Sequence, residues 1–149
     1  MKDVFKTVEK YIPQTDEINA TVSAKTVGWQ LDHILNVVIV INEDIQQSNP
    51  SNYKAKFNYI KSLILLTGYI PRGKGKAPKT TRGTEEKYAS DFLAEKLNKA
   101  KDAFNAIEKL PADFYFNHPL FGHMKRDTTK KFLKIHSKHH LKIIEDILK

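Results

Sequence analysis

Apolar residues recur along this chain at helical rather than alternating spacing. Val4, Phe5, Val8, Tyr11 and Ile12 fall at i, i+1, i+4, i+7 and i+8, the mark of an amphipathic helix, and Pro13 stops it. A polar connection over 14–26 leads into a second helix over about 27–46, with a stripe of Val27, Leu31, Ile34, Leu35, Val38, Ile41 and Ile45. Ser48, Asn49, Pro50 and Ser51 supply turn chemistry. Tyr53, Phe57, Ile60 and Ile64 then predict a shorter third helix, ended by Gly68 and Pro71. Over 71–79, Gly and Pro mix with cations without a period, which reads as a loop. Leu93, Leu97, Ala100, Phe104 and Ile107 mark a fourth helix over about 85–110, closed by Pro111, and a last helix starts near Asp127 or Thr128. The stretch 114–124 shows no period, and no strand pattern is legible. The expectation is an all-α fold, an antiparallel up-down four-helix bundle with an extra short helix and a basic loop, built as one domain over 1–149.

Composition narrows the chemistry. With 40% hydrophobic and 28% charged residues, the chain has the make-up of an ordinary globular protein. The absence of cysteine excludes disulfides, thiolate metal sites and cysteine nucleophiles, so any metal must use His and carboxylates. The start of the chain carries charge every few residues and lacks the apolar run of a signal peptide, which sets the expectation of a cytoplasmic protein. Apolar runs fall short of the roughly 20 residues that span a bilayer, so no membrane partner is expected. The net charge of +8 is concentrated: residues 71–82 carry five cations and no acid, and residues 125–149 carry eight against three acids.

Six histidines are the candidate chemistry. At about 100° per residue, the last helix sets His136 and His140 among Phe132, Leu133, Ile143, Ile144 and Ile147, opposite its lysines, while His139 sits at the margin of that stripe. Burying an imidazole without a partner costs roughly 1–3 kcal/mol, so the pair needs something to bind. The i, i+4 spacing brings two ring nitrogens to one point, as in helical zinc-ligand pairs. The plain alternative is that each ring is satisfied by a carbonyl or carboxylate of a neighbouring helix. No Glu lies within the pair, because Ser137 follows His136, and a zincin-type protease is disfavoured. His33 lies on an apolar flank of the second helix beside Trp29, Val37 and Val40, and would complete a three-histidine set with coordination left open. Asp32 and Asn36 turn toward the polar side of that helix and are assigned no role in catalysis.

The stretch from Ser23 through Trp29 and His33 to Leu35, together with His136, His139 and His140 and the loop His118-Pro119-Leu120-Phe121-Gly122, resembles the DinB/YfiT-like superfamily. Within it, the likeness is greatest to the branch called domain of unknown function 1569, with its W-x-x-x-H, H-x-x-H-H and H-P-x-F-G pieces. The resemblance implies an up-down four-helix bundle of DinB-like type holding one divalent metal, Zn or Ni in the first place, on His33, His136 and His140. Superfamily members include metal-dependent thiol transferases and isomerases that use bacillithiol, mycothiol or glutathione. Such members often carry Arg and Gln after the double histidine, where this chain has Leu141 and Lys142.

The resulting expectation is a metal-dependent enzyme of thiol-transferase or hydrolase type, with a small thiol or anion as substrate and homodimerisation open. Trp29, His139 and His118 are candidates to wall or support the pocket. Arg72, Lys74 and Lys76 are candidates to bind an anion, although a solvated lysine-rich loop is the simpler reading. That loop lacks the spacing of a P-loop. The alternative function is a non-catalytic helical module that binds an anionic partner or nucleic acid through this loop. Nucleic acid is the weaker form, because the chain holds only Arg72, Arg82 and Arg126 as base-reading arginines.

Overall fold

The computed structural model describes residues 1–73, 78–82 and 87–149. Five α-helices run in the order α1 (Lys2–Tyr11), α2 (Val27–Gln46), α3 (Tyr59–Thr67), α4 (Ser90–Lys109) and α5 (Arg126–Ile147). Two strands, β1 (Tyr115–His118) and β2 (Gly122–Lys125), stand between α4 and α5. The fold is thus mostly helical with one small sheet.

Helix α2 begins where Thr26 offers its hydroxyl to the Trp29 N–H, a cap that satisfies one of the free donors of the first turn. It then runs between α4 and α5, and its whole predicted stripe is buried. The stripes of α1, α4 and α5 close on it, so that Val8, Leu31, Leu35, Leu93, Leu97, Ile107, Leu133 and Ile144 share one core. At the start of α2 the chain approaches so closely that a Cβ on Gly28 would lie 2.9 Å from the Cβ of Tyr88 and 3.0 Å from the Thr15 carbonyl oxygen. Glycine is what allows the 15–17 segment to hydrogen-bond there, through Gly28 N–H to the Thr15 carbonyl at 2.9 Å and Val27 N–H to the Glu17 carbonyl at 2.9 Å.

Three expectations are corrected. First, 115–125 is an antiparallel hairpin, with Phe116 opposite Met124 and His118 opposite Gly122. Each strand turns a single fully buried residue inward, Phe116 or Met124, which is too few for a period of two to show. Second, the third helix starts at Tyr59 rather than Tyr53: Pro50–Asn52 forms a single 3-10 turn, and Asn58 caps α3 by accepting the Lys61 N–H. Of its apolar residues only Ile64 is fully buried, so the helical period here does not mark a core-facing stripe. Third, Asp32 does not face solvent. It is buried and ion-paired with Lys96 of α4, because α4 covers the side of α2 that a wheel drawn for one helix leaves polar.

Candidate metal centre

Two helices bring the three histidines together. His33 from α2 and His136 and His140 from α5 each offer a ligand nitrogen, and these nitrogens lie within 4.8 Å of one another. The ring centroids are separated by 5.1 Å for His33 and His136 and by 4.6 Å for His140 to each of the other two. Two nitrogens about 2.0–2.1 Å from one tetrahedral ion stand roughly 3.4 Å apart, so the largest separation needs to close by no more than about 1.5 Å, which is within the reach of side-chain rotation.

Hydrogen bonds set which nitrogen is free. His33 Nδ1–H donates to the Thr81 carbonyl at 2.7 Å. A carbonyl can only accept, so the neutral ring carries its lone pair on Nε2. His140 Nδ1–H donates to Gln30 Oε1 at 2.6 Å. The Gln30 amide is itself held, since its NH2 donates to Ser23 Oγ at 3.2 Å, which fixes Oε1 as the atom facing the histidine. His140 Nε2 is therefore the lone-pair nitrogen as well. His136 differs: its Nδ1 is buried and has no partner among the described residues. Two rings poised by acceptors on the far nitrogen and a third with an orphaned buried nitrogen fit the chemistry of an imidazole-bound divalent ion.

Charge state agrees. Burial pushes His136 well below the usual histidine range, and His33, His139 and His118 nearby push it further. His140 is lowered in the same way by burial and then by His136, His33 and His139. His33 is lowered by burial, against the opposing pull of the Thr81 hydrogen bond and Asp32. All three rings are thus held neutral, the form that binds a cation.

No family model, no curated protein and no solved structure matches the chain. Its chemistry therefore has to be read from the site itself.

Around the triad, Trp29 is half-buried and stacks on His33, with centroids 5.1 Å apart and planes 19° from parallel. Phe132 lies 5.7 Å from His136. These two rings wall the cluster. His139, half-buried, stands edge-on to His140 at 5.1 Å and hydrogen-bonds the backbone of Ile70, so it braces the margin outside the cluster. His118 does not join the triad either. Its Nδ1 accepts the N–H groups of Leu120 and Phe121 at 3.1 and 3.3 Å and so shapes the hairpin turn, while its ring packs against Phe121 and Phe132. His123 plays a similar part, accepting the Lys54 N–H at 2.9 Å.

Of the basic loop, Arg72 is engaged by Asp146 at 2.7 Å. Lys74 and Lys76 lie outside the described residues. The supports that sequence reasoning did not single out are Gln30, Ser23 and Thr81. Gln30 could have been found, since the wheel that places His33 on a flank of α2 sets Gln30 about 60° away on the same flank. Thr81 contributes a backbone carbonyl, which no residue type announces.

Proposed function

We propose that His33, His136 and His140 hold one divalent metal ion, Zn or Ni, in a DinB-like, up-down four-helix bundle, and that the protein is a metal-dependent enzyme acting on a small thiol or anion. The observation that carries this reading is the convergence of three neutral imidazoles whose Nδ1–H groups, in two of the three, are already spent on fixed acceptors. Among the described residues the cluster offers three protein ligands rather than four, which favours an open site over a structural one. A divalent ion bound there supplies Lewis-acid polarisation of a substrate oxygen or sulfur.

The chain's own residues supply orientation and selectivity. The Thr81 carbonyl and Gln30 hold the two tautomers, and Trp29 and Phe132 restrict water from the sides. All three ligands are neutral, and the buried carboxylate of the neighbouring Asp32 is spent on Lys96. The site consequently carries uncompensated positive charge once loaded, which favours a thiolate or oxyanion over a neutral or cationic ligand. The motif resemblance to the DinB/YfiT-like superfamily points the same way for fold and ligand set, and a shared fold does not carry a reaction with it.

The test is elemental analysis of protein purified without a histidine tag and then reconstituted with zinc or nickel, for the wild type and His136→Ala. About one ion per chain, lost in the variant, is the expected result. A wild type that takes up no ion, or a variant that keeps its ion, overturns the assignment.

A further inference from the structure

A second feature lies away from the triad. Helix α3 is well formed, with an Asn58 cap at one end and Gly68 in the left-handed region (φ 68°) at the other, yet it meets the rest of the fold through Ile64 and, in part, Leu65 and Lys61. Its other face is apolar and bare. At about 100° per residue, Tyr59, Ile60, Leu63 and Leu66 fall within an arc of roughly 120°, opposite Lys61 and Leu65. Leu66 is 84% exposed, and Phe57 and Tyr69, which flank the helix, are 80% and 65% exposed. Single exposed apolar residues are ordinary, but a continuous patch on a preformed helix marks a contact surface.

The charge around the patch says what covers it. From residue 45 to residue 84 the chain has no Asp or Glu. Lys54 and Lys56 are exposed on the segment that leads into α3, and the Lys61 ammonium folds back onto the Lys56 carbonyl at 3.3 Å. Beyond the other end, Asp146 is surrounded by Arg72, Lys142 and Lys149 at 2.7, 3.4 and 2.7 Å, so it leaves no net negative charge there. An apolar helical face with aromatic residues at its edges, bordered by cations and, among the described residues, by no net negative charge, is complementary to an anionic lipid surface, where apolar groups enter the acyl boundary and ammonium groups meet phosphates. A second copy of this chain fits less well, because a two-fold contact sets the same cations against themselves. Nucleic acid leaves the aliphatic residues without a partner.

We propose that the exposed face of α3, with Lys54 and Lys56 beside it, docks this protein onto an anionic bilayer surface. Among the described residues no helix is long and apolar enough to cross a membrane. Lying in the interface plane requires no such length, so the sequence-based expectation of no membrane partner, drawn from spanning length, does not reach this mode of binding. The inference is independent of the metal assignment.

Co-sedimentation of the full chain with phosphatidylcholine vesicles, with and without phosphatidylglycerol, tests it. The wild type is expected to pellet with the anionic vesicles only and to be released by high salt. Leu63→Ser combined with Leu66→Ser is expected to weaken binding about tenfold or more, and Lys54→Gln combined with Lys56→Gln severalfold. These side chains are exposed, so an unchanged circular dichroism spectrum and thermal unfolding midpoint verify that each variant is folded. A wild type that stays in the supernatant with both vesicle types overturns the proposal. So does binding that the serine pair leaves intact, which would be charge attraction alone. A dimer seen by sedimentation equilibrium without vesicles, dissolved by the serine pair while vesicle binding is absent, assigns the face to a second copy instead.

Discussion

Gln30→Leu isolates the part of the metal centre that acts at a distance. The Gln30 side chain is 3% exposed and accepts the His140 Nδ1–H at 2.6 Å. Leucine keeps most of the volume and removes the acceptor. With nothing to receive Nδ1–H, the His140 ring is free to move its proton to Nε2, the nitrogen that faces the other two histidines, and that proton must leave before an ion can bind. Outer supports of this kind are worth about 10–100-fold in metal affinity, or roughly 1.4–2.7 kcal/mol. The tautomer shift relieves part of the roughly 1–3 kcal/mol cost of an unpaired buried N–H, so the metal-free variant should lose only a few degrees in Tm. Competition against a chromophoric zinc chelator measures the affinity. Nitrogen-15 NMR of the metal-free imidazoles reads the tautomers, with His33 as the internal control because the Thr81 carbonyl still holds it. Gln30→Glu supplies a stronger acceptor and should bind zinc at least as tightly as the wild type. If Gln30→Leu binds zinc within twofold of the wild type and its His140 remains in the Nδ1–H form, the orienting role of Gln30 is refuted.

Two further outcomes follow from burial and packing. His33, His136 and His140 are held below the free histidine value, and His118 is pushed down to about 4 by burial. Below about pH 6.5 the unfolded chain therefore binds more protons than the folded one, so the metal-free protein should hold its full stability above that pH and lose it steadily as the pH falls toward 4. Thermal scans in chelator from pH 8 to pH 4 check this, and a Tm that is flat between pH 7 and pH 5 would contradict it. Gly28→Ala places a methyl group 2.9 Å from Tyr88 and 3.0 Å from the Thr15 carbonyl. The repacking should cost about 1–3 kcal/mol and outweigh the roughly 1 kcal/mol gain in helix propensity, and urea unfolding in which the alanine variant proves the more stable would show that the contact is not tight.

Periodicity alone determined a good deal of this protein. The stripes of α1, α2, α4 and α5 are in the chain because a helix in a core must repeat apolar residues near 3.6, and the apolar residues named on those stripes are buried apart from Ile143, which is half-buried. The same regularity put His136 and His140 on one face and His33 on an apolar flank, since the angle between residues on one helix is a local property. What a single helix cannot encode is which neighbour covers each of its faces. Tertiary packing therefore decided that Asp32 meets Lys96, and that α3 is left bare although its apolar residues repeat as regularly as the others. It also decided the hairpin, whose strands hold one fully buried residue each. The partners that orient His33 and His140 come from 48 residues away in the chain for Thr81 and 110 for Gln30, so the folded chain alone determines which nitrogen of these two rings is free.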